Sequence, residues 1–245
     1  MRKFGLLGFP LSHSFSKRYF TEKFREMGIQ ADNQYDLYEI EDINSLSEVL
    51  KNNPDILGLN VTIPHKLNII PLLDKIDPAA QKIGAVNVIK VAKDGKLIGY
   101  NSDYFGIKRS LEEFLGEKRS LNALILGNGG ATKAVAMALE DMKIPFKIVS
   151  RQKTETTINY REANELLPDY KLIINCTPLG TYPNVEAFPD LDYENMTKEH
   201  FCHDLVYNPS ETRFMLKAKN YGAQVKNGYD MLVYQAEKSW EIWNG

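Results

Sequence analysis

A glycine-rich turn between a short apolar strand and a helix constrains this chain more than any other feature. The strand is "NALILG", the turn carries Gly127, Gly129 and Gly130, and the helix "ATKAVAMALEDMK" leads to a second strand, "FKIVS". Glycines in this context let the backbone approach a pyrophosphate, which the free N–H groups of the helix amino terminus can bind. A tight turn favours glycine by itself, but the order of elements predicts a βαβ half of a dinucleotide fold.

Strands and helices alternate along the rest of the chain. Strand patterns occur at "KFGLLGF", "QYDLYEI", "ILGLNVTI", "KLIINCT" and "HFCHDLVY", and helical patterns occur at "SKRYFTEKFREMG", "INSLSEVLKNN" and "SETRFMLKAKNYG". The helical segment "YFGIKRSLEEFLGEK" is expected to lead from a first α/β unit into a second, and the tail "GYDMLVYQAEKSWEIWNG" is typical of an amphipathic helix. The sequence therefore predicts an α/β protein with mainly parallel sheets.

Composition excludes several classes of protein. The 245 residues, 43% of them hydrophobic, can bury a core in one large or two small domains. The 30 basic and 32 acidic side chains give no electrostatic footprint for nucleic acid or an anionic membrane, and the apolar runs are too short to span one. Cys176 and Cys202 are expected to be reduced thiols, with no disulfide and no structural metal. We expect a cytoplasmic location.

The residues at the end of the strand "FKIVS", the second strand of the βαβ half, indicate which cofactor is preferred. About twenty residues after the glycines, an NAD enzyme normally places an acid on the ribose hydroxyls. This chain has Ser150, Arg151, Gln152 and Lys153 instead. A guanidinium can hold a 2′-phosphate by a charge-assisted pair, so the loop favours NADP over NAD. The alternative is a solvated loop arginine.

Polar side chains also stand at ends of predicted elements elsewhere. In "LNVTIPHKLNII" the alternation of a half-buried strand stops at Pro64, and Lys66 follows, where solvated lysines are also common. Each remaining candidate has a structural explanation such as helix capping. These candidates are Asn87, Tyr207, Gln235, the serines Ser12, Ser14 and Ser16, which we expect on a loop between a strand and a helix, and Asp103, which we expect on a turn before a helix. Together they supply the hydroxyls, amides, carboxylate and lysine that suit a small polyhydroxylated acid.

Eight stretches in order resemble the motifs of the shikimate dehydrogenases and cover the chain from end to end. They are "PLSHSFS", "NVTIPHK", "GAVNV", "GYNSDYFG", "GNGGATKAV", "NCTPLG", "DLVYNP" and "GYDMLVYQA". The resemblance implies NADPH-dependent reduction of 3-dehydroshikimate to shikimate, a step towards chorismate and the aromatic amino acids. Lys17, Asn128 and the loop from Ser150 to Gln152 depart from the family's usual residues.

The resemblance also implies roles for individual residues. Lys66 would be catalytic with Asp103 as its partner. The substrate-binding residues would be Ser14, Ser16, Thr62, Lys66, Asn87, Asp103, Tyr207 and Gln235. The cofactor-binding residues would be Gly127, Asn128, Gly129, Gly130, Ala131, Ser150, Arg151, Lys153, Thr177, Leu205, Gly228 and Met231.

Two domains with the active site in the cleft between them are implied as well. We expect a substrate domain from residues 1–103, completed by a carboxyl-terminal helix at 228–245, and a Rossmann-like NADP domain at 104–227. The enzyme would be a monomer or a homodimer. Two alternatives stay open: a broader dehydrogenase that also uses quinate and NAD, and a nonenzymatic ligand-sensing module on the same fold.

Overall fold

The computed structural model describes residues 1–11, 14–118 and 120–245, so Ser12 lies outside the described residues. These residues form two compact units, one of Met1–Ser102 with Gln235–Gly245 and the other of Asp103–Tyr234. None of the helices in the described ranges combines the length and the apolar character needed to cross a bilayer.

The first unit contains a mixed sheet with helices around it. Its elements are β1 (Arg2–Gly8), α1 (Phe15–Glu26), β2 (Asn33–Glu39), α2 (Leu46–Asn52), β3 (Ile56–Val61), β4 (Lys75–Ile76), α3 (Pro78–Ile83), β5 (Val88–Val91) and β6 (Leu97–Tyr100). The strand order is β2-β1-β3-β5-β6-β4. β1 pairs in parallel with β2 and β3, and β4 with β6. β5 pairs antiparallel with β3 and β6. For β5 and β6 the reason is that the turn between them is too short for the crossover that parallel pairing needs.

Aromatic side chains fill one face of this sheet. Phe4 on β1 and Phe20 on α1 are fully buried, and Trp243 is 4% exposed. Trp243 belongs to α8 (Tyr229–Asn244), and its indole Nε1 donates to the carbonyl of Ile89 on β5 at 3.0 Å. The ring lies against Gly58 on β3, where a Cβ atom would collide with it. Glycine at this position therefore lets the last helix pack closely on the sheet.

The second unit has the predicted Rossmann-like sheet. Its elements are α4 (Ser102–Leu115), β7 (Ala123–Leu126), α5 (Gly130–Asp141), β8 (Phe146–Val149), β9 (Thr157–Ile158), α6 (Tyr160–Leu166), β10 (Leu172–Asn175), β11 (Phe201–Asp204), α7 (Arg213–Asn220) and β12 (Gln224–Lys226). The order is β12-β11-β10-β7-β8-β9, with every described pair parallel. From β7 the sheet extends to one side through β8 and β9, and from β10 it extends to the other side through β11 and β12. The boundary between β7 and β10 is therefore the topological switch point, where sheets of this kind bind ligands.

Each face of this second sheet is covered by helices. Ala123 and Ile125 of β7 pack on one side with residues of α4 and α5, such as Leu111. Leu124 and Leu126 pack on the other side with residues of α6 and α7. The four residues of the strand therefore alternate between two cores, which explains why β7 is apolar throughout.

Gly58→Ala tests the close packing of the first unit. The added methyl group would collide with the indole of Trp243, and we expect the free energy of unfolding to fall by about 1–3 kcal/mol, as for overpacked cores. Urea denaturation would measure this change. In a Trp243→Leu background the same substitution should cost less, because the ring is absent. An unchanged urea midpoint for Gly58→Ala would contradict the packing described here.

Candidate active site

Lys66 lies in a turn that follows β3. The strand ends at Val61, and residues 63–69 form successive turns, as Pro64 predicts. The N–H of Thr62 still donates to the carbonyl of Leu7 on β1 at 2.9 Å. The carbonyl of Lys66 accepts from the N–H of Val86 at 2.9 Å, which places the lysine backbone beside the segment that carries Asn87. The Lys66 side chain is partly buried.

The two described serines of the amino-terminal motif have different local roles. Ser14 is the N-cap of α1, and its hydroxyl oxygen accepts from the N–H of Lys17 at 3.1 Å. Ser16 is in the first turn of that helix, whereas the sequence placed it on the preceding loop. Burial raises the pKa of Tyr35 on β2, and the Ser16 side chain acts against that increase. Both serines are partly buried.

Asn87 and Gln235 are held by a residue that the sequence did not single out, Ser102. The N–H of Ser102 donates to Asn87 Oδ1 at 2.7 Å, and Asn87 Nδ2 donates to Ser102 Oγ at 3.0 Å. Ser102 Oγ lies 3.4 Å from Gln235 Oε1. Asn87 precedes β5, and all three side chains are buried. Ser102 therefore brings together two residues that are predicted to bind the substrate, Asn87 and Gln235, within the first unit.

Further buried polar groups extend this arrangement. The hydroxyl of Tyr35 donates to Asn60 Oδ1 at 2.8 Å, and Asn60 Nδ2 donates to Ser239 Oγ at 2.9 Å. Ser239 Oγ lies 3.2 Å from Ser102 Oγ. The chain of hydrogen bonds thus runs from Tyr35 to Asn87 and Gln235. Asn60 was the available signal, since it is an amide inside the otherwise apolar strand β3.

Asp103 and Tyr207 belong to the second unit. Asp103 is in the first turn of α4, where the helix dipole favours a carboxylate. The sequence had placed it on a turn before that helix. Tyr207 follows β11 and is 36% exposed.

The glycine turn has the backbone geometry that the sequence predicts. Gly127 has φ of +103°, and a Cβ there would lie 3.1 Å from Thr177 Cγ2. Among the described residues nothing lies within 4 Å of a Cβ placed on Gly129 or Gly130. Packing inside the protein therefore does not explain these two glycines, and the open space beside the amino terminus of α5 fits a pyrophosphate.

Thr132 closes the glycine turn from inside. It occupies the position where a third glycine is common, and it is 2% exposed. Its Oγ1 accepts from the N–H of Gly129 at 3.2 Å and donates to the carbonyl of Gly127 at 2.9 Å. The threonine therefore fixes the conformation of the glycine turn. Asn128, within the turn, and Ala131, directly after it, are both exposed.

A buried carboxylate organises the loops after β10 and β11. Asp204 ends β11, and its carboxylate accepts from Asn175 Nδ2 at 2.9 Å and from Thr212 Oγ1 at 2.6 Å. Burial raises the pKa of Asp204 to about 6, against the opposing effect of these donors. Asn175 Oδ1 in turn accepts from the N–H and the hydroxyl of Thr177. Sequence reasoning passed over Asn175 and Asp204, although a polar residue at the end of a buried strand was a usable signal.

Two of the other residues predicted on the nicotinamide side, Leu205 and Gly228, also follow strand ends. A Cβ on Gly228 would collide with the backbone of Leu205, so only glycine allows this approach. The N–H of Gly228 donates to the carbonyl of Val206 at 3.1 Å. Met231 is 8% exposed and packs in the core that Leu205 adjoins.

The loop after β8 presents two exposed cations, Arg151 and Lys153, and Lys153 is held in an ion pair. Arg151 is exposed, whereas Lys153 forms an ion pair with Glu162 at the start of α6. The Ser150 hydroxyl bonds to the carbonyl of Gln152 and lies 3.1 Å from Thr157 Oγ1, which folds the loop on itself. Arg151 is thus the better placed of the two cations for an anionic ligand.

Comparison with known proteins agrees with this geometry. Residues 6–89 match the family model described as the shikimate dehydrogenase substrate binding domain. A shikimate dehydrogenase (NADP(+)) from Methanococcus maripaludis is 39% identical, with 98% of this chain and 91% of that protein covered.

Two solved structures are similar over the whole of this chain. The Thermus thermophilus shikimate 5-dehydrogenase, in complex with NADP(H) and shikimate, has a TM-score of 0.87 and 30% identity over 94% of its chain. The Listeria monocytogenes enzyme, in complex with shikimate and NAD, has a TM-score of 0.89 and 28% identity over 92% of its chain. Because these similarities extend over both units, the chain belongs to the shikimate dehydrogenase family.

Proposed function

We propose that this chain catalyses the reversible, NADPH-dependent reduction of 3-dehydroshikimate to shikimate. The observation that carries the proposal is the match over 98% of the chain to a shikimate dehydrogenase (NADP(+)), combined with a lysine and a carboxylate at the expected positions, Lys66 and Asp103. The reaction supplies shikimate to the route towards chorismate and the aromatic amino acids.

The cofactor would bind at the carboxyl edge of the second sheet. The amino terminus of α5 and the open space at Gly129 and Gly130 would receive the pyrophosphate. Arg151, which is exposed, would take the 2′-phosphate. Lys153 contributes less in this proposal, because its ammonium is already paired with Glu162. When bound, NADPH supplies the hydride.

The loops after β10, β11 and β12 would form the nicotinamide side. Thr177, Leu205, Gly228 and Met231 are the proposed lining residues. Hydrogen bonds from Thr177 to Asn175, and the close approach of Gly228 to the backbone of Leu205, hold this wall rigid. A rigid wall matters because hydride transfer depends on near-attack geometry.

The substrate would be bound chiefly by uncharged groups of the first unit. Ser14 and Ser16 would hold the carboxylate, and Thr62, Asn87 and Gln235 would contact the ring hydroxyls or the ketone. In this proposal Tyr207 adds a hydroxyl from the second unit. The hydrogen bonds of Asn87 and Gln235 with Ser102 orient two of these ligands before the substrate arrives.

Lys66 would act on the reacting oxygen. Reduction of a ketone places negative charge on the carbonyl oxygen, and the ammonium can stabilise that charge or donate the proton that ends on the product hydroxyl. Asp103 would bind a substrate hydroxyl and keep the ammonium in place. The two residues thereby divide charge stabilisation and orientation between them.

We also propose that the enzyme works in the cytoplasm. Cys176 and Cys202 are both free, and free thiols persist in reducing compartments. The balance of 30 basic and 32 acidic side chains provides no strong field for a polyanionic partner.

A steady-state assay of 3-dehydroshikimate reduction, run in parallel with NADPH and NADH, tests the proposal. We expect turnover with NADPH to exceed turnover with NADH at equal concentrations. Equal use of NADH together with oxidation of quinate would favour the broader dehydrogenase. Binding of shikimate without turnover would favour the sensing module, although such a module has no need for Lys66 or Asp103.

Lys66→Met tests the catalytic role of the lysine. The substitution keeps most of the side-chain stem and removes the charge, so turnover should fall by roughly two to four orders of magnitude. Shikimate binding, measured by calorimetry, should change much less, because other groups hold the carboxylate and hydroxyls. Lys75→Met, on the exposed strand β4, is the matched control and should leave turnover unchanged. Near wild-type turnover of Lys66→Met would show that Lys66 is an ordinary solvated lysine.

Arg151→Ala tests the choice of cofactor. Loss of one charge-assisted contact should raise the Michaelis constant for NADPH by about ten- to a hundredfold, with little effect on that for NADH. Arg161→Ala removes an exposed arginine of the same unit, which pairs with Glu165, and is the matched control. Equal effects of Arg151→Ala on both cofactors would mean that this residue does not contact the 2′-phosphate.

A further inference from the structure

The residue before Lys66 is a buried histidine with one short hydrogen bond to the residue that follows β2. His65 is 2% exposed, and its ring Nε2 lies 2.7 Å from the carbonyl oxygen of Ile40. A carbonyl oxygen can only accept a hydrogen bond, so Nε2 carries the proton and donates it. The imidazole therefore joins the lysine turn to the segment that follows β2.

The acceptor of this bond is itself fixed. Ile40 directly follows β2, and its N–H donates to the carbonyl of Gly8, the last residue of β1, at 3.1 Å. The Ile40 side chain packs in the core on one face of the sheet. The imidazole is thus anchored to the carboxyl end of two paired parallel strands, which is a rigid part of the unit.

Backbone hydrogen bonds hold the lysine turn on both sides of the histidine. The N–H of His65 donates to the carbonyl of Thr62 at 2.9 Å, and its carbonyl accepts from the N–H of Ile69 at 3.0 Å. The carbonyl of Lys66 accepts from Val86. These bonds shape the turn, and the imidazole is the side chain within it that fixes the turn against β2.

Stability alone does not explain a histidine here. Its second ring nitrogen, Nδ1, is buried and has no hydrogen-bond partner among the described residues. A buried polar atom without a partner costs free energy that a leucine of similar size would not incur. What the imidazole contributes is then its hydrogen bond to the carbonyl of Ile40, which fixes the orientation of the turn.

We propose that His65 is a positioning residue for Lys66, acting through its hydrogen bond to the carbonyl of Ile40. The bond fixes the backbone at the position next to the lysine, and so fixes the point from which the ammonium reaches the reacting oxygen. This inference rests on the proposed reduction of 3-dehydroshikimate. A misplacement of about 1 Å in a catalytic group can cost a hundredfold in rate.

Paired substitutions at His65 separate positioning from packing. His65→Leu removes the donor and keeps the volume, whereas His65→Gln places an amide donor near the position of Nε2. We expect His65→Leu to lower kcat by roughly ten- to a hundredfold, with the Michaelis constants for 3-dehydroshikimate and NADPH changed less than about threefold. His65→Gln should restore most of kcat. Unchanged kcat in His65→Leu would overturn the inference.

A matched control exists in the second unit. His200 is fully buried, and its Nε2 bonds to the carbonyl of Leu167 at 3.0 Å, so it makes the same kind of bond to a backbone carbonyl away from the lysine turn. His200→Leu should leave kcat per folded molecule near wild type even if the melting temperature falls. Equal losses of kcat in His200→Leu and His65→Leu would mean that His65 is only structural. If His65→Leu does not fold, His65→Asn replaces it in the test. The asparagine amide is too short to reach the carbonyl of Ile40, so we expect His65→Asn to have a lower kcat than His65→Gln.

A double-mutant cycle with Lys66→Met closes the test. If His65 acts through the lysine, Lys66→Met and the double variant Lys66→Met/His65→Leu should have the same residual kcat. Additive losses would contradict positioning. An inactive wild-type enzyme would refute the proposed function itself, whereas an active wild type with an impaired Lys66→Met and a normal His65→Leu would refute this inference alone.

Discussion

Parallel strand pairing is the constraint on which the arrangement of both units depends. In a parallel sheet every carboxyl end reaches the same edge, whatever the separation along the chain. In the second unit this rule brings the segments after β7, β8, β10, β11 and β12 to one edge, where all the proposed cofactor residues lie except Met231, which is in α8. In the first unit it brings the ends of β1, β2 and β3 together, so Ile40 stands where His65 can reach it.

Polar residues at these strand ends are buried, and each must find a partner inside the protein. Asp204, Asn175 and Thr212 satisfy one another after β10 and β11, and Asn60 is satisfied by Tyr35 and Ser239 in the first unit. A partly satisfied network of this kind is more costly than an apolar core, whereas a satisfied one specifies a single arrangement. Burial raises the pKa of Asp204, so its carboxylate depends on these donors, and the hydrogen bonds of Asn175 with Asp204 and Thr177 hold the loop in one conformation.

The sequence predicted the fold because its signals are local. Alternating strands and helices and the glycine turn each lie within a short segment, and the structure confirms two α/β units with a Rossmann-like second sheet. Helix boundaries were less exact, because Ser14 rather than a later residue caps α1 and so puts Ser16 inside it. The hydrogen bonds that join Asn60, Ser102 and Ser239 could not be predicted, since these residues meet only after distant segments fold. The strands β4, β9 and β12 have two or three residues each and are too short to show a periodicity.

The proposed substrate-binding residues already make hydrogen bonds within the protein, and these bonds determine which donors and acceptors remain for the substrate. Asn87 Oδ1 faces the N–H of Ser102, which can only donate, so the amide orientation is fixed and one N–H of Nδ2 stays available. Ser14 uses its oxygen as an acceptor for Lys17 and keeps its own O–H to donate. Lys66 can only donate. The first unit thus presents mainly donors, which is the complement expected for a carboxylate, a ketone and hydroxyl oxygens.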